Sequence, residues 1–559
     1  MVNIQPALRK IIIFELVFPI VLLIVGIYHG LLQFLYRAGW LRQVSFGGLE
    51  YYQGLTLHGV INAIVFTTFF AVAFGNALIP YFLGKHPSVK VAVISGVTMA
   101  IGTVMAAIPI FTGSASVLYT FYPPLKAHPS FYIGVTLLVV GSWLAFWGWI
   151  PVYRSWRKEN PGKKIPLAIL GIFTTFLVWQ IATAPVAYEV LVLLLPWSLG
   201  WTDTVNVVLA RTLFWFFGHP LVYFWILPAY IMYYTMLPKL VGGKLFSDFA
   251  GRLAFLWLLV FSSPLGLHHQ FTEPGLDSNW KLAHAFLTFL VAVPSIMTAF
   301  VVAASMEYGA RARGGKGLFG WWSKLPWFEQ DAWLFGYFIC GLILFIFGGI
   351  TGIVNASYSM NRVVHNTAWL PAHFHMTVAG PAFLAFIGMS LHMISQLTGK
   401  AIRYPSMNLW FPYIWSIGIF VSSTGAFIGG LQGMPRRTNM GLTYLNPESV
   451  YFRGDWIFPS NIAVIGGIIM TIAMVMFFTV VFATLFSKKT MQEGIEFPVA
   501  EAYHDEDYAV VRNMKPWIAA AVAAVAIAYT PPLYEIYKNK VKGAAAFLPS
   551  SPVPASGTG

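Results

Sequence analysis

The 559-residue chain has a single cysteine, Cys340. One thiol cannot close an internal disulfide, and it cannot supply a site that needs two thiolates. Cys340 lies in an apolar run and reads as a small buried residue. Charge is also scarce. Asp, Glu, Lys and Arg make up 10% of the chain, and acids are the rarer kind, 20 against 34 Lys and Arg. A soluble protein carries about a quarter charged residues, so a water-soluble multidomain chain is excluded. No solenoid period and no inverted repeat of two halves is present. Polar stretches are few: 307–332, 431–458 and 487–515 are the longest. The last holds "EAYHDEDYA", which reads as a solvated cytoplasmic loop.

Hydrophobic residues make up 58% of the chain and come in blocks. "IIIFELVFPIVLLIVGIYHGLLQFL" and "NIAVIGGIIMTIAMVMFFTVVFATLF" are each long enough to cross a hydrocarbon core of about 30 Å as a helix. An all-α integral membrane protein with about 13 transmembrane helices is expected. The spans fall near 11–36, 56–84, 91–113, 130–153, 165–195, 207–238, 252–268, 281–306, 333–355, 368–396, 409–430, 459–486 and 516–537. No small-residue cleavage site follows the first, so it reads as a retained helix. One domain covers 1–559, with a transmembrane core of about 11–537 and a loose, Pro-rich tail over 538–559. The net charge of +14 follows topology and does not indicate a nucleic-acid partner. Most Lys and Arg fall in alternate loops, most densely in "YRSWRKENPGKK" (153–164). This predicts a cytoplasmic N-terminus and a C-terminus outside. A basic inner face also suits an anionic lipid membrane.

Seven of the thirteen histidines lie in or beside these spans: His58, His219, His268, His269, His284, His373 and His375. An imidazole in a bilayer is costly unless something binds it. Any one of them could be hydrogen-bonded across a helix interface; seven call for more. In "HNTAWLPAHFH" (365–375), His373 and His375 are two apart, about 200° around a helix at about 100° per residue. They leave opposite sides of one helix and cannot easily chelate one ion. Each can hold its own cofactor, and two haem irons held so would lie roughly 13 Å apart across the helix. His268 and His269 are adjacent in "SSPLGLHHQF". After Pro264 and Gly266 the backbone can bend to aim both at one copper, zinc or iron ion. "FGHPLVYFW" offers His219 as a third ligand, with Tyr223 one turn further on. That pair alone also fits a buried hydrogen-bonded couple.

These residues resemble subunit I of the haem–copper oxidase superfamily, in particular its B-family of ba-type cytochrome c oxidases. The resemblance rests on "YYQGLTLHGVINAIVF", "VLYTFYPPLKAH", "ARTLFWFFGHPLVYFWILPAY", "HHQF", "AVPSIMTAF", "IVNAS", "VVHNTAWLPAHFH" and "MPRR". They occur in the family's order over about residues 50 to 440. It implies that His58 and His375 are the axial ligands of a low-spin haem, a haem b. His373 would be the single ligand of a high-spin, A-type haem, open on its other face. His219, His268 and His269 would hold copper B, with Tyr223 covalently linked to His219. Arg436 and Arg437 would bind haem propionates. Asn355 and His365 would lie near those of the high-spin haem, and Trp215 would pack beside the metal pair. The implied reaction is reduction of O2 to water coupled to proton uptake and pumping. It needs four electrons at once; the metals supply three, and Tyr223 the fourth with a proton.

A-type relatives carry a glutamate two residues after the copper histidine, where this chain has Leu221. One proton route is therefore implied, through Thr298, Ser295, Tyr234 and Tyr230 to Tyr223. Ser295 and Thr298 share a helix face, as do Tyr230 and Tyr234; read alone, such hydroxyls also serve as helix glue. Where relatives carry an aspartate four residues before His365, this chain has Asn361. The resemblance further implies a subunit II carrying copper A, since this chain has no thiolate pair for it. A small single-helix subunit, a cytochrome c or quinol donor, and a prokaryotic cytoplasmic membrane follow in the same way. A nitric oxide reductase would place glutamates near its metal, and no acid stands around Tyr223. A transporter without redox chemistry leaves the HxH and HH pairs unexplained.

Overall fold

The computed structural model describes residues 1–44, 47–539 and 543–547. The apolar blocks form long helices because a bilayer offers no water to the backbone, so each peptide group must bond within its own segment. In chain order these are α1 (Pro6–Arg37), α2 (Tyr51–Leu83), α3 (Val89–Phe111), α4 (Pro129–Glu159), α5 (Leu167–Ser198) and α6 (Val207–Thr235). Then come α7 (Asp248–Ser262), α8 (Ser278–Ala312), α9 (Leu334–Ala356) and α10 (Trp369–Thr398). Last are α11 (Pro405–Leu431), α12 (Gly454–Leu485) and α13 (Lys515–Lys538). Among the described residues, 12 helices are long and apolar enough to cross a membrane.

The exception is α7, expected over 252–268, which has 15 residues. Fifteen residues rise about 22 Å, short of a core of about 30 Å. Ser263 keeps helical backbone as the cap, and Pro264, which has no N–H to carry the hydrogen-bond ladder on, stops the helix there. The chain goes on as an irregular stretch into a short 3₁₀ turn, Leu267–Gln270. Irregular backbone at this depth is tolerated only inside protein, and residues 262–268 are all buried. This turn carries His268 and His269.

Three helices widen into π turns: α2 at Val60–Val65, α5 at Glu189–Leu194 and α10 at His375–Ala382. The first begins two residues after His58, and the third begins at His375. Such bulges cluster at functional sites because they re-aim side chains.

The loop 487–515 is tied to the bundle. Ala502–His504 pairs in parallel with Leu245–Ser247, and Asp505 of its acidic cluster meets Lys164 at 2.6 Å. In the tail, Ala544 exchanges backbone hydrogen bonds with Val205 (2.9 and 3.2 Å), and the Phe547 N–H bonds Pro124 O at 2.8 Å. So 543–547 runs along this chain's own loops; 540–542 and 548–559 of the expected loose tail lie outside the described residues.

Buried polar groups join helices where apolar surface gives no net driving force. Asn76 of α2 donates to Glu15 Oε2 of α1 at 3.0 Å and accepts from Trp149 Nε1 of α4 at 2.9 Å. Replacing Asn76 with Leu leaves an indole N–H and a carboxyl group buried without it. That is expected to cost about 1–3 kcal/mol, read as a lower thermal midpoint in detergent. An unchanged midpoint would show that this amide does not join the three helices.

Candidate functional site

His219 of α6, His268 and His269 converge. Their ligand nitrogens all lie within 4.8 Å of one another. His219 Nδ1 stands 3.3 Å from His269 Nε2, and His219 Nε2 is buried without a hydrogen-bond partner. Trp215, one turn before His219, stacks on His269 with ring centres 3.8 Å apart and planes 13° apart. The Tyr223 ring lies 5.0 Å from that of His219, so the expected pair is adjacent. Three neutral imidazoles converging on one point are a donor set for a transition metal.

His373 and His375 diverge as helix geometry requires. His373 faces α9, its Nδ1 beside Gly348 O and the Thr351 hydroxyl. His375 faces the other way, into a cavity of about 310 Å³ that it lines together with His58. The Nδ1 atoms of these three histidines are all tied to backbone carbonyls. His58 bonds Gly26 O at 2.8 Å, His375 bonds Pro371 O at 2.7 Å and His373 bonds Gly348 O at 3.1 Å. A carbonyl only accepts, so in His373 and His375 the proton sits on Nδ1, and Nε2 keeps its lone pair for a metal; His58 Nδ1 meets the Asn62 amide nitrogen (2.9 Å) as well as its carbonyl. A Cβ on Gly30 would stand 2.7 Å from the His58 ring; only glycine lets that imidazole take its place.

Two threonines do the same work. Thr351 gives its hydroxyl proton to Gly348 O (2.8 Å), so it accepts from His373 Nδ1 (2.9 Å). Thr288 gives its own to His284 O (2.6 Å) and accepts from His268 Nδ1 (3.0 Å).

At the cavity mouth, Arg436 binds Asn366 Oδ1 through Nε and Nη2, at 3.1 and 2.8 Å. Arg437 lies over the Tyr122 ring and has a buried Nη2 without a partner. Among the described residues neither arginine has an acid partner. Burial, then the charge of Arg437, pulls Arg436 down to about 9. Both heads suit an anionic ligand, such as a pair of carboxylates. Arg37 of α1 also lines the cavity, held by Pro435 O (2.8 Å) and Thr438 O (3.0 Å).

Asn361 joins two predicted residues: its Nδ2 donates to Asn355 O at 2.7 Å, and its Oδ1 accepts from His365 Nδ1 at 2.9 Å. Burial, then Arg436, holds His365 down at about 4, so it is neutral. Among the hydroxyls, Tyr234 donates to Thr298 at 2.8 Å. Ser295 donates to its own helix at Val291 O (3.3 Å), and its hydroxyl also lies beside the buried Tyr230 hydroxyl, which has no partner of regular hydrogen-bond geometry.

Sequence reasoning missed Thr288, Thr351 and Arg37. A threonine in an apolar helix and an arginine ending a span carry no signal of their own, since their partners lie tens to hundreds of residues away. Glu189 was missed too. It begins the π turn of α5, fully buried, with neither carboxyl oxygen partnered.

The family described as "Cytochrome C and Quinol oxidase polypeptide I" matches residues 10–469. Cytochrome c oxidase subunit 1 of Thermus thermophilus is 42% identical over 496 residues, 87% of each chain. A probable quinol oxidase subunit 1 of Staphylococcus epidermidis is 27% identical, over 76% of this chain and 62% of that one. A solved chain of a haem–copper terminal oxidase dimer superposes with a TM-score of 0.96 at 49% identity, over 98% of this chain and 96% of that one. The chain belongs to the haem–copper oxidase subunit I family.

Proposed function

We propose that the histidines described above are the redox site of this family and that the chain is of its ba-type B branch. As a family member it is the catalytic subunit I of a terminal oxidase, which reduces oxygen and pumps protons. The observation that carries the site is the convergence of His219, His268 and His269 beside Tyr223.

His58 and His375 would hold the iron of a low-spin haem, a haem b, and His373 that of a high-spin, A-type haem. His219, His268 and His269 would hold copper B. When bound, these groups supply the electron relay and the centre at which O2 becomes water. The chain supplies the rest. Carbonyl and threonine acceptors fix the imidazoles in the metal-binding tautomer. Arg436 and Arg437 neutralise propionates, with Asn355 and His365 near those of the high-spin haem. Trp215 holds the plane of His269. Tyr223 presents a phenol proton at the metal pair. Protons reach it from the inner side through the Tyr234–Thr298 bond, then Ser295 and Tyr230. Leu221 stands where an A-type chain has its glutamate, which supports the B branch and a single route.

Residues 1–559 act as one unit in the cytoplasmic membrane of a prokaryote, N-terminus inside and C-terminus outside. Copper A belongs to a partner subunit II, docking on the outer face near Arg436 and Arg437. Cytochrome c or a quinol is the donor, and a small single-helix subunit completes the assembly.

A pyridine haemochrome spectrum with metal analysis should report one b-type and one A-type haem and one copper in this chain. Purified protein without haem bands would sink the reading. Tyr223→Phe should lower oxygen consumption by about a hundredfold or more, as loss of a positioned proton donor does; full turnover would refute its role. Asn361→Asp puts a carboxylate beside His365, which favours the imidazolium and raises its pKa from about 4. The pH profile of oxygen consumption should gain an inflection at higher pH than in the wild type. Superimposable profiles would show that His365 is not coupled to turnover.

A further inference from the structure

Of the seven histidines within the spans, His284 has no part in the site as assigned. It sits on α8, fully buried, one turn before Thr288. Its Nε2 lies 3.1 Å from Ala528 O of α13, and its Nδ1 lies 3.5 Å from the Leu267 backbone N–H. A carbonyl accepts and an amide donates, so the ring is neutral with its proton on Nε2. It therefore links the last helix to the turn that carries His268.

A second link runs through the backbone of His284. Its carbonyl takes the Thr288 hydroxyl proton (2.6 Å), which leaves Thr288 an acceptor for His268 Nδ1 (3.0 Å). A third comes from Tyr529, next to Ala528. The Tyr529 ring stacks on Phe216 of α6 with centres 3.8 Å and planes 4° apart, and it meets the His284 ring edge-on at 5.1 Å. Its hydroxyl and Trp215 O both close on the space where a Gly266 side chain would begin. A Cβ there would stand 2.2 Å from the first and 2.3 Å from the second. The turn is thus gripped by α6, α8 and α13 together, just where α7 has ended.

We propose that His284, Thr288 and Tyr529 are positioning residues for copper B. They hold the 267–270 turn and the His268 tautomer so that Nε2 of His268 faces His219. The need is physical. A 3₁₀ turn of four residues has little stiffness of its own, and two adjacent side chains converge only if the backbone is held bent. The clamp also makes α13 part of the metal site, although most of that helix faces away from the core.

The inference rests on the histidine cluster being the copper site. The test uses the purified oxidase with copper analysis and the infrared band of carbon monoxide on copper after photolysis from the haem. Thr288→Val and His284→Phe should weaken copper retention by about 10–100-fold, as loss of partners behind a ligand does, and should shift or broaden the copper–CO band. Thr288→Ser and His284→Gln keep an acceptor and a donor in place and should restore both. The low-spin haem band should stay unchanged throughout. Wild-type copper and CO signals in Thr288→Val and His284→Phe would overturn the proposal. So would equal loss of the low-spin haem band, which would make these residues general supports of the fold. A wild-type enzyme that binds no copper would instead sink the site assignment, and this inference with it.

Discussion

The constraint on which this structure depends is that an imidazole in a bilayer must have both nitrogens accounted for. Water cannot serve, and a neutral ring carries one donor and one acceptor. The chain answers with oxygen atoms that only accept. Gly26, Gly348 and Pro371 present carbonyls. Thr351 and Thr288 become acceptors because each spends its one proton on a helix carbonyl. At His268, His373 and His375 these bonds settle the same question, placing the proton on Nδ1 and leaving Nε2 free; at His58 the Asn62 amide shares Nδ1 with the carbonyl.

Placing those acceptors is largely a matter of backbone irregularity. His375 opens a π turn, and His58 stands two residues before another. In a π turn the chain carries an extra residue per loop, so side chains before and after it leave the regular 100° progression. The adjacent pair His268 and His269 uses a different device. There α7 stops early, and a buried stretch after Pro264 does what a helix cannot, turning two adjacent side chains to one point. Such backbone is affordable only because α6, α8 and α13 enclose it.

Much of this was legible in the sequence, and the limits have a physical pattern. Facts that depend on spacing along one element could be read directly. The opposed HxH pair, the His219–Tyr223 turn and the bent HH pair each follow from helix pitch or a proline nearby. Span positions were legible for the same reason, since hydropathy is a local property. The length of α7 was not, because the apolar run continues past Pro264 although the helix does not. Facts that depend on contacts across the bundle were also hidden. Thr288 and Thr351 look like any threonine in an apolar helix, and Arg37 like any cationic span end. His284 carried a signal, an imidazole at membrane depth, but its partner Ala528 lies 244 residues on.

Asn361 shows how one substitution can keep geometry and change electrostatics. Its amide bridges Asn355 O and His365 Nδ1, using one donor and one acceptor. A carboxylate at this position could accept from His365 but could not donate to Asn355 O. The amide therefore satisfies both neighbours without adding charge, and His365 stays neutral beside Arg436. Negative charge at the arginine pair must then come from a bound group, since no acid among the described residues meets Arg436 or Arg437. That ties the fixing of this corner to occupancy of the site: two cations crowd half-buried ground, and an anionic ligand is what relieves their repulsion. The same arrangement that leaves the corner without an acid of its own leaves two guanidinium heads that favour an anionic group.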